Sequence, residues 1–192
     1  IDGKEQFVQF GEVYNPKASM TEGQIQTVRE DENGVFVRGE AKGAYDYKEG
    51  IDYSNRKLYF VRNAPYSPYV IFRDDAAMRD ASEVEFVSRL ITKPEHKLTS
   101  EGKAAIITTS SGAKAMILTY SGDTQVNVVN DDMKGETFFA QVNGGDFLCT
   151  DYFKRLSSTV TAVNPRFTTI VMPYFKKEEL PTIGVERRAD DV

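Results

Sequence analysis

The stretch RKLYFVRNAPYSPYVIFRDD, residues 56–75, decides the fold of this chain. Apolar side chains occupy alternate sides of an extended run over residues 58–61, and a second apolar run, residues 69–72, follows a turn that contains two prolines. Period-2 runs on either side of a proline-rich turn are typical of paired antiparallel strands. The stretch therefore predicts a β-hairpin at the centre of a β architecture.

Short alternating runs separated by turn residues recur along the rest of the chain. A hairpin is predicted over residues 24–29 and 35–41, because Asn33-Gly34 tolerates the positive φ angles of a tight connection. Another is predicted over residues 104–109 and 114–120. Further strands are expected at residues 6–10, 84–91, 125–129, 138–142, 147–153, 158–163, 166–172 and 182–187.

About a dozen short strands with frequent turn signals predict an all-β fold, a two-layer antiparallel β-sandwich with little or no helix. A chain of 192 residues fits one such domain, residues 1–192. Three segments are predicted as exceptions to the strands. We expect an irregular loop over residues 43–53, a loop or single turn over 74–82, and a charged turn over 131–135.

The distribution of charge and the length of the apolar runs argue against two classes of partner, nucleic acid and membrane. The chain has 24 Lys and Arg against 29 Asp and Glu, a net charge of −5, and the two signs are interspersed. A nucleic-acid partner would need a clustered basic face, and no apolar run approaches the roughly 20 residues that cross a bilayer. We therefore expect no nucleic-acid and no membrane partner, although a local basic cleft is compatible with a net-acidic domain.

The residues that usually carry metal or nucleophilic chemistry are scarce. Cys149 is the single cysteine and His96 the single histidine. One thiol cannot form an intramolecular disulfide. A single histidine excludes His-rich metal sites and most hydrolytic mechanisms. We interpret Cys149 as a buried strand residue and His96 as a solvated loop residue. No catalytic residue, metal or other cofactor is predicted.

Adjacent carboxylates occur at residues 74–75, 131–132 and 190–191. Glycoside hydrolysis needs two carboxyl groups on opposite sides of a sugar ring, which sequence neighbours in a turn do not provide. Turn formation is the predicted role of these pairs, with Asp74 bonding backbone groups at the hairpin exit.

Three tyrosines, Tyr45, Tyr47 and Tyr53, lie in the glycine-rich segment 43–53. Aromatic rings can stack on the apolar faces of sugars, and phenol groups can donate hydrogen bonds to hydroxyls or uronates. The alternative is that the three side chains are half-buried loop residues that cover one end of the sandwich. The pattern leaves both interpretations open.

Several segments together resemble the C-terminal β domain of the heparinase II/III-like polysaccharide lyases. Residues 1–6, IDGKEQ, are similar to the segment that begins this domain in many members. The hairpin resembles the family's R-x-v-x-f … y-v-v-i-x-D pattern from Arg56 to Asp74, and residues 86–94 and 166–173 stand where the family places later strands. With this resemblance, Gln6 of the opening segment joins the three tyrosines as a candidate carbohydrate-binding residue.

The resemblance implies the β-sandwich half of a two-part enzyme. In the family, an N-terminal α/α toroid holds the main catalytic groups, and the lyase breaks a glycosidic bond next to a uronic acid by β-elimination. A later family histidine has no match here, because Arg89, Leu90 and Ile91 stand at its usual place. The family's metal is therefore not carried over to this chain.

The sequence begins at Ile1 without an initiator Met or a signal peptide. We expect a piece of a longer chain that lacks the toroid and is inactive alone. Its expected partners are that toroid and an acidic polysaccharide, a glycosaminoglycan or alginate, whose cleft it lines or supports. The family implies a periplasmic or secreted location. Two alternatives stay open: a free-standing carbohydrate-binding module, and a purely structural or protein-interaction sandwich.

Overall fold

A computed structural model of the chain describes residues 23–42, 50–63, 67–122, 124–132, 136–142, 145–151, 154–174 and 183. These ranges contain fourteen β-strands and no α-helix. The strands are β1 (Gln24–Glu30), β2 (Gly34–Glu40), β3 (Ile51–Val61), β4 (Tyr69–Met78), β5 (Val84–Thr92), β6 (Lys97–Glu101), β7 (Ala104–Thr108), β8 (Lys114–Ser121), β9 (Thr124–Val126), β10 (Val129–Asp132), β11 (Glu136–Val142), β12 (Gly145–Asp151), β13 (Lys154–Ala162) and β14 (Arg166–Tyr174).

Two antiparallel sheets dominate the described structure. The larger has nine strands, eight of them in the order β1-β2-β3-β4-β14-β8-β7-β6, with β9 also paired to β8. The smaller has three strands in the order β10-β13-β5, and β11 pairs with β12 as a separate hairpin. The predicted all-β, two-layer antiparallel fold is confirmed.

The central hairpin is confirmed as β3 and β4, which pair from Ile51 opposite Met78 to Val61 opposite Tyr69. β4 extends beyond the predicted end of the hairpin, so the loop or single turn expected over residues 74–82 is wrong for its first half. The reason is burial of small side chains. Ala76 and Ala77 are buried, and the small Ala76 side chain leaves room for Phe86 of the smaller sheet.

Other connections differ from the predictions because strands change sheet. Residues 131–132 belong to β10, which pairs with β13, so the predicted charged turn is wrong at these two positions. β11 pairs with β12 as a separate hairpin. β13 and β14 flank Asn164-Pro165 but lie in different sheets. In the connection between them, the carbonyl of Pro165 accepts a hydrogen bond from the amide of Ala76 in β4.

The turn between β1 and β2 is where the sequence places it, but its chemistry differs. Oδ1 of Asp31 accepts hydrogen bonds from the amides of Asn33 (2.8 Å) and Gly34 (3.0 Å). Neither Asn33 nor Gly34 has a positive φ angle. The expected two-residue connection with positive φ is therefore wrong, and the Asp31 side chain organises the turn instead.

The core lies between the two sheets. We call the face of the nine-stranded sheet that packs on β10-β13-β5 the inner face, and the opposite one the outer face. Successive side chains of a strand point to opposite faces, so the core contains alternate residues of each strand. Its buried members are Ala76, Phe86, Ala105, Ile117, Val128, Leu156 and Phe167.

The outer face carries its own apolar cluster along β14 and β8. Tyr120, Ile170 and Met172 are buried there, and Ile183 packs against them. The hydroxyl of Tyr120 lies 3.4 Å from the carbonyl oxygen of Ile183. The nine-stranded sheet is therefore apolar on both faces near its centre.

Thr119 and Thr169 form a hydroxyl pair within the sheet, with Oγ1 atoms 3.1 Å apart and both residues 2% exposed. We expect either single substitution to valine to lower the free energy of unfolding by about 1–3 kcal/mol, because it leaves the other buried hydroxyl without this partner. The double variant Thr119→Val/Thr169→Val should return close to the original stability, since both polar groups are gone. Urea unfolding of the four proteins measures this coupling; additive losses would contradict it.

Candidate functional site

Asp74 and Asp75 are adjacent in β4 and point to opposite faces of the nine-stranded sheet, because side chains alternate along a strand. The turn-forming role predicted for Asp74 is therefore wrong. Nor can the two carboxylates flank one sugar ring, since the sheet itself separates them. Asp74 pairs with one arginine, whereas Asp75 contacts three basic side chains.

On the inner face, Asp74 connects the two sheets. Its carboxylate accepts hydrogen bonds from Arg56 at Nε (2.6 Å) and Nη2 (2.9 Å), and from Oγ of Ser88 in β5 (3.2 Å). The guanidinium of Arg56 also lies 5.8 Å from the ring centroid of Phe72. A bidentate guanidinium–carboxylate pair fixes both groups, so these contacts are structural.

On the outer face, Asp75 is buried among basic side chains from three adjacent strands. Its oxygens lie 2.7 Å from Nε of Arg166, 3.3 Å from Nζ of Lys57 and 3.4 Å from Nε of Arg73. Burial acts to raise the pKa of this carboxyl, but the charge of Arg73, the hydrogen bond from Arg166 and the charge of Lys57 outweigh it and hold the pKa below its usual value.

This electrostatic environment determines what Asp75 can do. A general base that works near neutral pH needs a pKa raised toward 7, whereas the pKa of Asp75 is lowered. Asp75 is therefore suited to holding cations in place and unsuited to taking a proton from a substrate.

Three basic residues lie directly opposite one another across β2, β3 and β4. Arg38 pairs with Lys57, and Lys57 pairs with Arg73. We call these three side chains the cationic row. Like charges directly opposite in adjacent strands destabilise a sheet, and Asp75 offsets the repulsion for Lys57 and Arg73 only. Arg38 is exposed at the end of the row.

An aromatic pair adjoins the cationic row on the outer face. Phe36 and Tyr59 lie opposite each other, two residues from Arg38 and Lys57 respectively. Their ring centroids are 4.8 Å apart with a 40° angle between the planes, and both residues are half-buried. The outer face thus places positive charge next to partly accessible aromatic surface.

The predicted carbohydrate-binding residues fall in different parts of the chain. Tyr53 lies in β3 opposite Ala77, half-buried, so its assignment to a loop is wrong. Its side chain shares the outer face with Lys57 and Tyr59, because all three are odd-numbered positions of one strand. Gln6, Tyr45 and Tyr47 lie outside the described residues.

His96 lies in the turn between β5 and β6, as predicted for a loop residue. It is half-buried and engaged: its Nδ1 is 2.5 Å from Oγ1 of Thr92, and its carbonyl oxygen accepts a hydrogen bond from Nζ of Lys154. Cys149 lies in β12, as predicted for a strand residue. No group of three or more His, Cys, Asp or Glu in the described part of the chain is arranged to hold a metal ion.

The described structure is an antiparallel β-sandwich with an ordered charged surface on its larger sheet. Solved structures with this fold include two of the heparinase III BT4657 gene product, one with methylated lysines, each with a TM-score of 0.56. They are 13% and 14% identical to this chain in sequence and cover 84% of it. A further heparinase III structure covers 79% at a TM-score of 0.53 and 13% identity.

A heparan sulfate lyase HepC mutant from Pedobacter heparinus shares the fold at a TM-score of 0.50 and 14% identity, over 80% of this chain. The alignments span 21–23% of these longer proteins. The expected resemblance to heparinases is therefore confirmed at the level of the fold. No family model matches the sequence, and no curated protein matches it significantly. Within the described residues, no helix is long and apolar enough to span a membrane.

Proposed function

We propose that this chain is the non-catalytic β-sandwich domain of a heparinase II/III-like polysaccharide lyase. In the whole enzyme it lines or supports the cleft for a uronic-acid-containing polysaccharide, such as a glycosaminoglycan or alginate, which the enzyme cleaves by β-elimination. An N-terminal α/α toroid of the same chain supplies the catalytic groups. The enzyme acts in the periplasm or outside the cell.

The observation that carries this proposal is the shared fold with heparinase III over 84% of this chain and 23% of the other. High coverage of this chain together with low coverage of the other is what a single domain of a larger enzyme produces. Fold likeness alone does not transfer a reaction, because function depends on the site. The basic outer face supports an acidic ligand independently of the fold.

The contacts of the two adjacent carboxylates of β4 support a non-catalytic role. Elimination needs a base for the proton α to the uronate and an acid for the leaving oxygen. Asp74 is held by Arg56 in a bidentate pair, and Asp75 has a lowered pKa among three cations. The lowered pKa of Asp75 does not suit proton transfer near neutral pH. The bidentate pair with Arg56 makes Asp74 a structural group.

We expect the 192-residue chain alone to produce no unsaturated uronate from heparan sulfate or from alginate. The measurement is the ultraviolet absorbance of the double bond that elimination creates, with an active heparinase III as positive control. Sustained turnover by the chain alone would sink the non-catalytic assignment.

A protein-interaction sandwich is the second candidate, favoured by two exposed apolar side chains on β1. Ile25 is 73% exposed and Val28 is 62% exposed. Both lie on the inner side of β1, the strand at the end of the described sheet order, because a register shift between Ile25 and Thr27 brings the two side chains to the same face. Exposed apolar surface on a sheet is typical of a contact with another protein surface. This candidate requires no affinity for polysaccharide, which separates it from the first.

A further inference from the structure

We propose that the outer face at β2–β4 is a binding subsite for an acidic polysaccharide, with the cationic row contacting its carboxylate or sulfate groups and the aromatic pair contacting a sugar ring. The proposal rests on the acidic-polysaccharide class of the proposed function and assigns the residues that recognise it. It is carried by the geometry of five side chains: Phe36, Arg38, Lys57, Tyr59 and Arg73.

The cationic row is an unfavourable arrangement for the folded domain alone. Arg38, Lys57 and Arg73 occupy directly opposite positions, where like charges repel. Asp75 contributes one negative charge to a cluster that also includes Arg166. An anionic ligand would relieve the repulsion that remains, so the charge complementarity points to a negatively charged partner.

The donors of the row are positioned for a ligand. Arg73 contacts Asp75 through Nε, at 3.4 Å, and the terminal amino groups of its guanidinium take no part in that contact. A guanidinium has five N–H donors and matches carboxylate and sulfate oxygens well. Asp75 is a positioning residue here, because its carboxylate holds Lys57 and Arg73 on the outer face.

The dimensions suit a linear polysaccharide that crosses the strands. Adjacent strands are about 4.8 Å apart, so the row spans roughly 10 Å from Arg38 to Arg73, which is close to the length of a disaccharide. Tyr59 and Phe36 each lie two residues along their strand from the row. Sugar rings present apolar C–H faces to aromatic rings while their acidic groups project outward, so one bound disaccharide can satisfy both features.

The test measures binding of a heparan sulfate oligosaccharide, an alginate oligosaccharide and a neutral cello-oligosaccharide to the 192-residue chain by calorimetry. We expect the two acidic ligands to bind with an affinity that falls as salt rises, and the neutral one to bind much more weakly. Arg38→Gln and Lys57→Gln should each weaken acidic-ligand binding about two- to fivefold, and the double variant about tenfold.

Arg79→Gln is the matched control, because Arg79 is an exposed arginine beyond the end of β4 and outside the row. Its affinity should equal that of the unaltered chain. The melting temperature separates binding from structure: Arg38→Gln should leave it unchanged or raise it, since one repulsive charge is removed. A lowered melting temperature with the affinity loss would indicate a structural role and overturn the proposal.

Two further outcomes separate this subsite from the proposed function. If the acidic oligosaccharides bind but Arg38→Gln/Lys57→Gln binds them equally well, the subsite lies elsewhere and the proposed function stands. If neither acidic oligosaccharide binds the unaltered chain, the subsite and the acidic-polysaccharide role both fail. Equal binding of the neutral ligand also overturns the subsite, because charge would then contribute nothing.

Discussion

Gly34→Ala should lower the free energy of unfolding by about 3 kcal/mol, because backbone atoms of the neighbouring strand occupy the space that a methyl group needs. Gly34 pairs with Val61 of β3. A Cβ on Gly34 would overlap the carbonyl oxygen of Phe60 and lie 3.1 Å from its carbonyl carbon. These atoms cannot rotate away as a side chain could, so relief requires the start of β2 to separate from β3.

Gly39→Ala is the matched control in the same strand, at a position where an added Cβ lies nearest to an atom of β1 and not of β3. The nearest atom to a Cβ there is the carbonyl oxygen of Gln24 at 3.5 Å, an ordinary contact. We expect this variant to stay within about 0.5 kcal/mol of the original stability or to gain slightly, since glycine inside a strand is itself unfavourable. Chemical denaturation followed by far-ultraviolet circular dichroism measures both variants. Equal stability of the two would contradict the packing explanation.

Gly34 illustrates what local pattern can and cannot predict. The hairpin of β1 and β2 was expected where it occurs, because alternation and turn residues act over a few positions. The reason expected for Asn33-Gly34, positive φ, does not apply, whereas close approach of Phe60 does. That approach depends on a strand more than twenty residues away, which no local pattern encodes.

The end of β4 shows the same difference between what a local pattern predicts and what tertiary packing decides. The segment 74–82 is short and polar, so a loop or single turn is expected there, whereas residues 74–78 belong to β4. In the structure, Ala76 is buried with Phe86 and Phe167, and a small side chain is what this contact accepts. Tertiary packing overrides local propensity at these positions, and the packing partner lies in another sheet.

The cationic row could not be predicted for a related reason. Alternation assigns Arg38, Lys57 and Arg73 each to one face of its own strand, but the common face depends on the register between strands. A slip of one residue in either pairing would move a cation to the other face. The sequence therefore predicts an antiparallel sandwich and leaves its charged surface to be set by the register of β2, β3 and β4.

Asp75→Asn is expected to lower the free energy of unfolding at neutral pH by about 2–3 kcal/mol. The substitution keeps the size of the side chain and removes its charge. Lys57, Arg73 and Arg166 then lose the carboxylate that they share, and Lys57 and Arg73 face each other as like charges. The loss is smaller than for a fully buried pair, because the three cations are partly exposed to water.

Asp74→Asn is the control on the neighbouring residue. Asp74 pairs with one arginine whose side chain is 50% exposed, so solvent screens much of that interaction. We expect a loss of about 1 kcal/mol, clearly smaller than for Asp75. Urea denaturation at pH 7 compares the variants. A larger loss at Asp74 than at Asp75 would contradict the assignment of the main electrostatic contribution to the outer face.

The dependence of the Asp75→Asn effect on pH follows from the lowered pKa of Asp75. A carboxyl with a lower pKa in the folded than in the unfolded state stabilises the fold fully above the unfolded value, about pH 4, and loses this contribution as pH falls through the folded value. The difference in stability between the original chain and Asp75→Asn should therefore stay constant from pH 8 to about pH 5 and shrink below about pH 4. Asp80, whose pKa is also lowered, is present in both proteins and cancels in the comparison. A difference that persists unchanged at pH 2 would show that hydrogen-bond geometry at Asp75, and not its charge, stabilises the outer face.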